Sequence, residues 1–82
     1  MAHDMQDTKK RVVEIVAEKL SIDPSGITES VTLQDLGADS LDMVEIIMKL
    51  EEEFDISIDD EKAESFDNLG QVIAYIHSLR AL

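Results

Sequence analysis

The sequence predicts an all-α fold: a small irregular four-helix bundle with a long loop between helices one and two and a short third helix. Three observations lead there. Apolar residues recur at helical spacing in three separate stretches, near each end of the chain and in its middle. Clusters of Pro, Gly, Ser, Thr and Asp, which stop helices, lie between them. The 82 residues suffice for one domain, spanning 1–82, and hold no repeat or low-complexity segment.

Helix one is expected over about residues 5–20, where Val12, Ile15, Val16 and Leu20 share one face, with residues 1–6 fraying. The connection SIDPSGITESVTLQDLGA follows. Pro24 and Gly26 break the helix there, while Ile22, Ile27, Val31, Leu33 and Leu36 give the segment apolar groups to bury. A connection of this length is expected to be structured or functional. Helix two should begin at Asp39–Leu41, with Asp39 as its cap and Gly37 relaxing the approach, and end near Phe54. DISID alternates but is too short and unpartnered to form a strand. Asp59 or Asp60 is expected to cap the short helix DEKAES. Asp67 or Asn68 is expected to cap the fourth helix, whose stripe is Leu69, Val72, Ile73, Ile76 and Leu79. Gly70 weakens its first turn slightly.

Composition removes whole classes of function. The chain has no cysteine, hence no disulfide, thiolate metal site or cysteine nucleophile. Its only aromatic residues are Phe54, Phe66 and Tyr75. No run of about 18 apolar residues could span a membrane. MAHDMQDTKKR has neither a signal core nor transit-peptide character, so a cytoplasmic location is expected. The formal net charge is −12, and residues 1–20 are neutral, so the whole excess lies beyond the first helix. Such a surface repels nucleic acid and anionic membranes and attracts basic protein patches, or serves solubility alone.

Helix two carries an unusual second stripe. At about 100° per residue, Met43, Ile46, Ile47, Leu50 and Phe54 form a core face, while Leu41, Val44 and Met48 fall opposite, among Glu45, Glu51 and Glu52. Either the preceding loop covers this stripe, or it is a docking surface with apolar anchors and steering acids. Ser40 sits at the helix N-terminus, where free N–H groups and the helix dipole favour an anion such as phosphate; as a lone serine it also suits a plain first-turn position. Nothing nearby activates it. The only histidines are His3 and His77, and there is no G-x-S-x-G elbow, so any chemistry at Ser40 is supplied by another protein.

The run LGADSLD at Leu36–Asp42 resembles the modification motif of the acyl carrier protein family, and VEIIMKLEEEFD follows it at that family's spacing. ISIDDEKAESF and VIAYI resemble its third and fourth helices, so the likeness covers essentially the whole chain, and most of all the stand-alone fatty-acid synthesis type. The resemblance implies that a separate transferase places phosphopantetheine from coenzyme A on Ser40, and that acyl groups then ride as thioesters on the cofactor's thiol. It implies no catalytic residue and no specific metal; a monomer is expected because no extensive apolar surface is left over. It implies that Asp39, Leu41, Asp42, Val44, Glu45, Met48, Glu51 and Glu52 face basic docking patches on fatty-acid synthesis enzymes and acyltransferases. It further implies an acyl pocket lined by Ile47, Leu50, Ala63, Phe66, Val72 and Tyr75. Phe66 departs from the family, which usually has an aliphatic residue there, and the Asp67–Gly70 opening of helix four departs mildly from the usual threonine-led cap.

A calcium sensor fails on ligand spacing. From Asp55, loop position six is Asp60 rather than glycine and position twelve is Phe66 rather than glutamate; starting at Asp35 puts Ser40 and Ile46 there. Weak divalent-cation binding to the acidic clusters remains expected. An unmodified interaction module and a carrier of peptidyl, aminoacyl or polyketide cargo also fit the pattern.

Overall fold

The computed structural model describes residues 4–80. Its helices are α1 (Met5–Leu20), α2 (Ser40–Phe54), α3 (Asp60–Ser65) and α4 (Leu69–Arg80), with a 3-10 turn at Pro24–Gly26. No strand occurs among the described residues. Of the first six residues, 1–3 lie outside the described ones. Asp4 caps α1 by accepting from the Gln6 N–H at 2.9 Å, so Met5 and Gln6 belong to the first turn.

α1 packs against both α2 and α4. Val12, Val16 and Ala17 of α1 meet Ile46 and Leu50 of α2 and Leu69, Val72, Ile73 and Ile76 of α4. Ile27 from the long loop and Ile58 ahead of α3 complete this core. α3 itself buries no residue and is held through its flanks and half-buried Ala63. Asp59 occupies its N-cap position, one of the two expected from the sequence, with its carbonyl accepting from Ala63 N–H at 2.9 Å but without a side-chain capping bond.

The long loop is built in pieces. Asp23 caps the 3-10 turn, accepting from the N–H and hydroxyl of Ser25 at 2.9 Å each. These bonds hold its carboxyl below the usual carboxylate range. The loop backbone then crosses the start of α4. Leu69 N–H donates to the Val31 carbonyl at 2.9 Å and Gly70 N–H to the Glu29 carbonyl at 2.8 Å. Two of the four orphan donors at that helix end are thereby satisfied. Asn68 caps a third, accepting from Gln71 N–H at 3.0 Å. The close crossing explains Gly70, since a Cβ there would stand 3.2 Å from the Glu29 carbonyl oxygen.

Beyond the crossing the chain makes one tight turn. Ala38 N–H bonds the Leu33 carbonyl and Gly37 N–H the Gln34 carbonyl, each at 3.0 Å. This is the paired bonding of a Schellman motif, and it needs a left-handed residue at Gly37, whose φ is 92°. Ala38 is buried next to it, which fixes the entry to α2.

The far end of the bundle is tied by polar groups. Thr8 is fully buried, accepts from the Arg80 guanidinium at 2.7 Å and lies 2.9 Å from His77 Nδ1. Arg80 also reaches Asp7 at 3.1 Å, and the Arg80 and Arg11 guanidiniums lie 5.0 and 5.1 Å from the Phe54 ring centroid. The ion pairs seen among the described residues draw on α1, joining Lys9 to Glu29, Arg11 to Asp7 and Glu53, Lys19 to Glu45, and Asp7 to Arg80. Around α3 the picture reverses. Asp55, Asp59, Asp60, Glu61, Glu64 and Asp67 form no ion pair among the described residues, and Lys62 sits 4.8 Å from the Tyr75 ring centroid instead.

Leu50→Ala, which empties a fully buried position, is expected to lower the unfolding free energy by about 2–5 kcal/mol in a denaturant titration. Gly37→Ala meets no neighbour within 4 Å, so its cost comes from the left-handed backbone alone, about 1 kcal/mol. Because unpaired acids outnumber paired ones around α3, lengthening of the Debye screening distance to about 30 Å in dilute buffer should lower the melting temperature, and salt near 1 M should raise it.

Candidate functional site

The Gly37 turn and buried Ala38 deliver Asp39 to the start of α2. Asp39 and Asp42 form a reciprocal capping box, with Asp42 N–H on the Asp39 carboxylate at 2.8 Å and Asp39 N–H on the Asp42 carboxylate at 3.2 Å. Ser40 is therefore the first helical residue. It is exposed, and its hydroxyl engages no partner among the described residues. The Ser40 and Leu41 N–H groups also stay free at the positive end of the helix dipole. An accessible hydroxyl next to free N–H donors fits a phosphodiester attached at Ser40. The two flanking carboxylates spend hydrogen-bonding capacity on the capping box. Among the described residues no histidine stands by: His77 is on α4 against Thr8.

The second stripe is exposed. Leu41, Val44 and Met48 keep 65%, 56% and 55% of their surface, so the preceding loop does not cover them. The accompanying acids differ in their engagements. Glu45 pairs with Lys19. Glu51 accepts from the Ile58 N–H at 2.9 Å and so holds the turn between α2 and α3. Glu52 is exposed and in no ion pair among the described residues.

From Ser40 an open groove runs between α2 and α3, bordered by Met43, Val44, Ile47, Met48, Ile58, Ala63 and Glu64. Met43, Ile47, Ala63 and Glu64 also border an inner cavity of about 100 Å³, which the core residues Val16, Ile46, Leu50, Leu69 and Val72 line together with Phe66, Leu33 and, towards the surface, Thr32, Gln34, Asp67 and Asn68. Five residues assigned to an acyl pocket from sequence, Ile47, Leu50, Ala63, Phe66 and Val72, do border this cavity. Tyr75 does not. Its ring packs on the outer side of Phe66, with centroids 5.7 Å apart, and lines a separate surface hollow with Lys62. Its contacts account for this placement: a three-residue step from Val72 leaves Tyr75 at the edge of the same helix face, where the ring packs against Phe66 and Lys62. The sequence reading missed Met43, Ile46 and Leu33; the first two were legible as members of the α2 core face.

The family model for a phosphopantetheine attachment site matches residues 10–76. Among solved structures, an acyl carrier protein from Enterococcus faecalis aligns with a TM-score of 0.78 at 30% identity, covering 93% of this chain and 98% of its own. The fold and site thus define a carrier that bears a covalent phosphopantetheine group and is not an enzyme. The chain belongs to the acyl carrier protein family.

Two adjacent acids separate packing from surface roles. Glu51→Ala should cost about 1–2 kcal/mol by leaving the part-buried Ile58 N–H unpaired, and Glu52→Ala should stay within about 0.5 kcal/mol of the parent. Val44→Lys should likewise leave the melting temperature nearly unchanged, because the side chain it replaces is exposed.

Proposed function

We propose that this chain carries growing fatty acyl chains as thioesters on a phosphopantetheine arm joined to Ser40, and presents them to fatty-acid synthesis enzymes. The exposed, unengaged Ser40 hydroxyl at the start of α2 carries this reading. In the attachment step the Ser40 Oγ–phosphorus bond forms as the phosphorus–oxygen bond to the adenosine bisphosphate part of coenzyme A breaks. The hydroxyl proton passes to a base of the transferase. The bound group supplies a thiol that this cysteine-free chain lacks.

The chain's own residues then hold and present. Leu41, Val44 and Met48 offer a small apolar anchor beside the attachment point. Asp39, Asp42, Glu45, Glu51 and Glu52 give the surface the sign that basic docking patches on synthesis enzymes, acyltransferases and the transferase read. A contact this small releases readily, which a shuttling carrier requires. Glu45 must exchange Lys19 for its partner's cation, so its contribution depends on α1. Acyl chains retreat through the α2–α3 groove into the inner cavity. The protein works as a cytoplasmic monomer, and divalent cations bind it weakly by screening its unpaired acids.

Intact-mass measurement after incubation with coenzyme A, Mg²⁺ and a broad-specificity phosphopantetheinyl transferase tests this. The parent should gain one phosphopantetheine, and Ser40→Ala should fold normally and gain none. An unmodified parent, with a known carrier modified in the same tube, would favour an interaction module that uses the same stripe.

A further inference from the structure

We propose that the Phe66 ring is the end wall of the acyl pocket and restricts this carrier to sheltering short acyl chains. The inference rests on the carrier reading above and names the cargo class of that same site. The route inward begins at Ser40 and passes between Met43 and Ile47 on α2 and Ala63 on α3, residues common to the groove and the inner cavity. Phe66 borders the cavity but not the groove, so it lies past that entrance. It borders the inner cavity, and it also borders the surface hollow formed with Lys62 and Tyr75 on the other side. The ring is thus a partition between two spaces.

The partition is held in place from outside. The Tyr75 ring lies 5.7 Å from Phe66, tilted by 55°, within the range of favourable aromatic packing. The Lys62 ammonium lies 5.8 Å from the Phe66 centroid and 4.8 Å from that of Tyr75, and adds cation–π attraction to both. Lys62 makes no salt bridge among the described residues despite the acids around it, so its charge is spent on the two rings. Swinging the Phe66 ring away would give up these contacts.

Cavity size sets the limit. An apolar cavity of about 150 Å³ accepts a benzene-sized guest of six carbons. The cavity here is about 100 Å³, which holds roughly four chain carbons. Carbons beyond that number either distort the core or remain in the open groove. An aliphatic residue at position 66 would join the cavity to the hollow behind it and lengthen the pocket.

The test loads Ser40 with straight-chain acyl groups of two to fourteen carbons by transferase reaction with the corresponding coenzyme A thioesters, and follows thermal melting of each product. In the parent, the melting temperature should rise by about 4 °C per added methylene while carbons enter the cavity and level off by roughly six carbons. In Phe66→Leu the rise should continue to longer chains, and in Phe66→Ala further still; circular dichroism of each unloaded variant verifies the fold. A parent whose melting temperature climbs steadily through fourteen carbons, or variants that level off where the parent does, would overturn the limit at Phe66. Loaded protein with no dependence on chain length would overturn the pocket itself. Failure of Ser40 to accept any group would overturn the carrier reading instead, so the failures are distinguishable.

Discussion

Two backbone hydrogen bonds, from Leu69 and Gly70 to the carbonyls of Val31 and Glu29, fix the part of the chain on which the site depends. They join the least regular segment to the N-terminus of α4, whose first N–H groups need acceptors in any case. Because the acceptors are backbone, nearly any side chain could occupy positions 29 and 31; the demand falls on position 70, where a Cβ would stand 3.2 Å from the Glu29 carbonyl oxygen and crowd the approach. With the loop pinned at 31, only a few residues remain before α2. The Gly37 turn consumes them and fixes the direction in which Asp39 enters the helix. Ser40 owes its exposure to this chain of constraints more than to its own environment.

Charge is partitioned along the same lines. The bases of α1 reach across to Glu29, Glu45 and Glu53, so the balanced segment of the sequence neutralises part of the acidic remainder and draws α1 onto α2 and the loop. These pairs are exposed, and each contributes little alone. Their arrangement matters more, because the acids near α3 form no ion pair among the described residues. Repulsion there opposes tight closure of α3 on α2, and α3 has no buried residue of its own to resist it. The groove leading from Ser40 lies between these two helices. A weakly held wall beside the attachment point suits a pocket that must admit a chain and give it up.

The helices and the site serine were legible because their signals are local: helical periodicity, cap residues, and the run LGADSLD. The exposed stripe was legible as a pattern but not as an outcome, since only the three-dimensional path of residues 31–39 decides whether Leu41, Val44 and Met48 are covered. Non-local pairings could not be read. Nothing near Glu45 points to Lys19, and nothing in the acidic run at Glu51–Glu53 distinguishes the carboxylate that holds Ile58 N–H from its neighbours. The place of Tyr75 could not be read for a related reason. It lies on a helix whose apolar stripe is wide, and the side on which its ring falls is set by Phe66 and Lys62, which belong to a different element.

A carrier faces opposed requirements, since its cargo must be shielded in transit and surrendered on arrival. The geometry separates them in space. On the function proposed above, recognition falls to the outer face of α2, where Leu41, Val44 and Met48 are exposed. Retention falls to the inner face of the same helix, where Met43, Ile46, Ile47 and Leu50 border the cavity. Because a helix places opposite faces on one rigid body, a partner that shifts α2 by gripping its outer face necessarily moves the wall of the cavity. Glu51 sits at this junction, with its carboxylate on the Ile58 N–H that sets the spacing of α3 from α2.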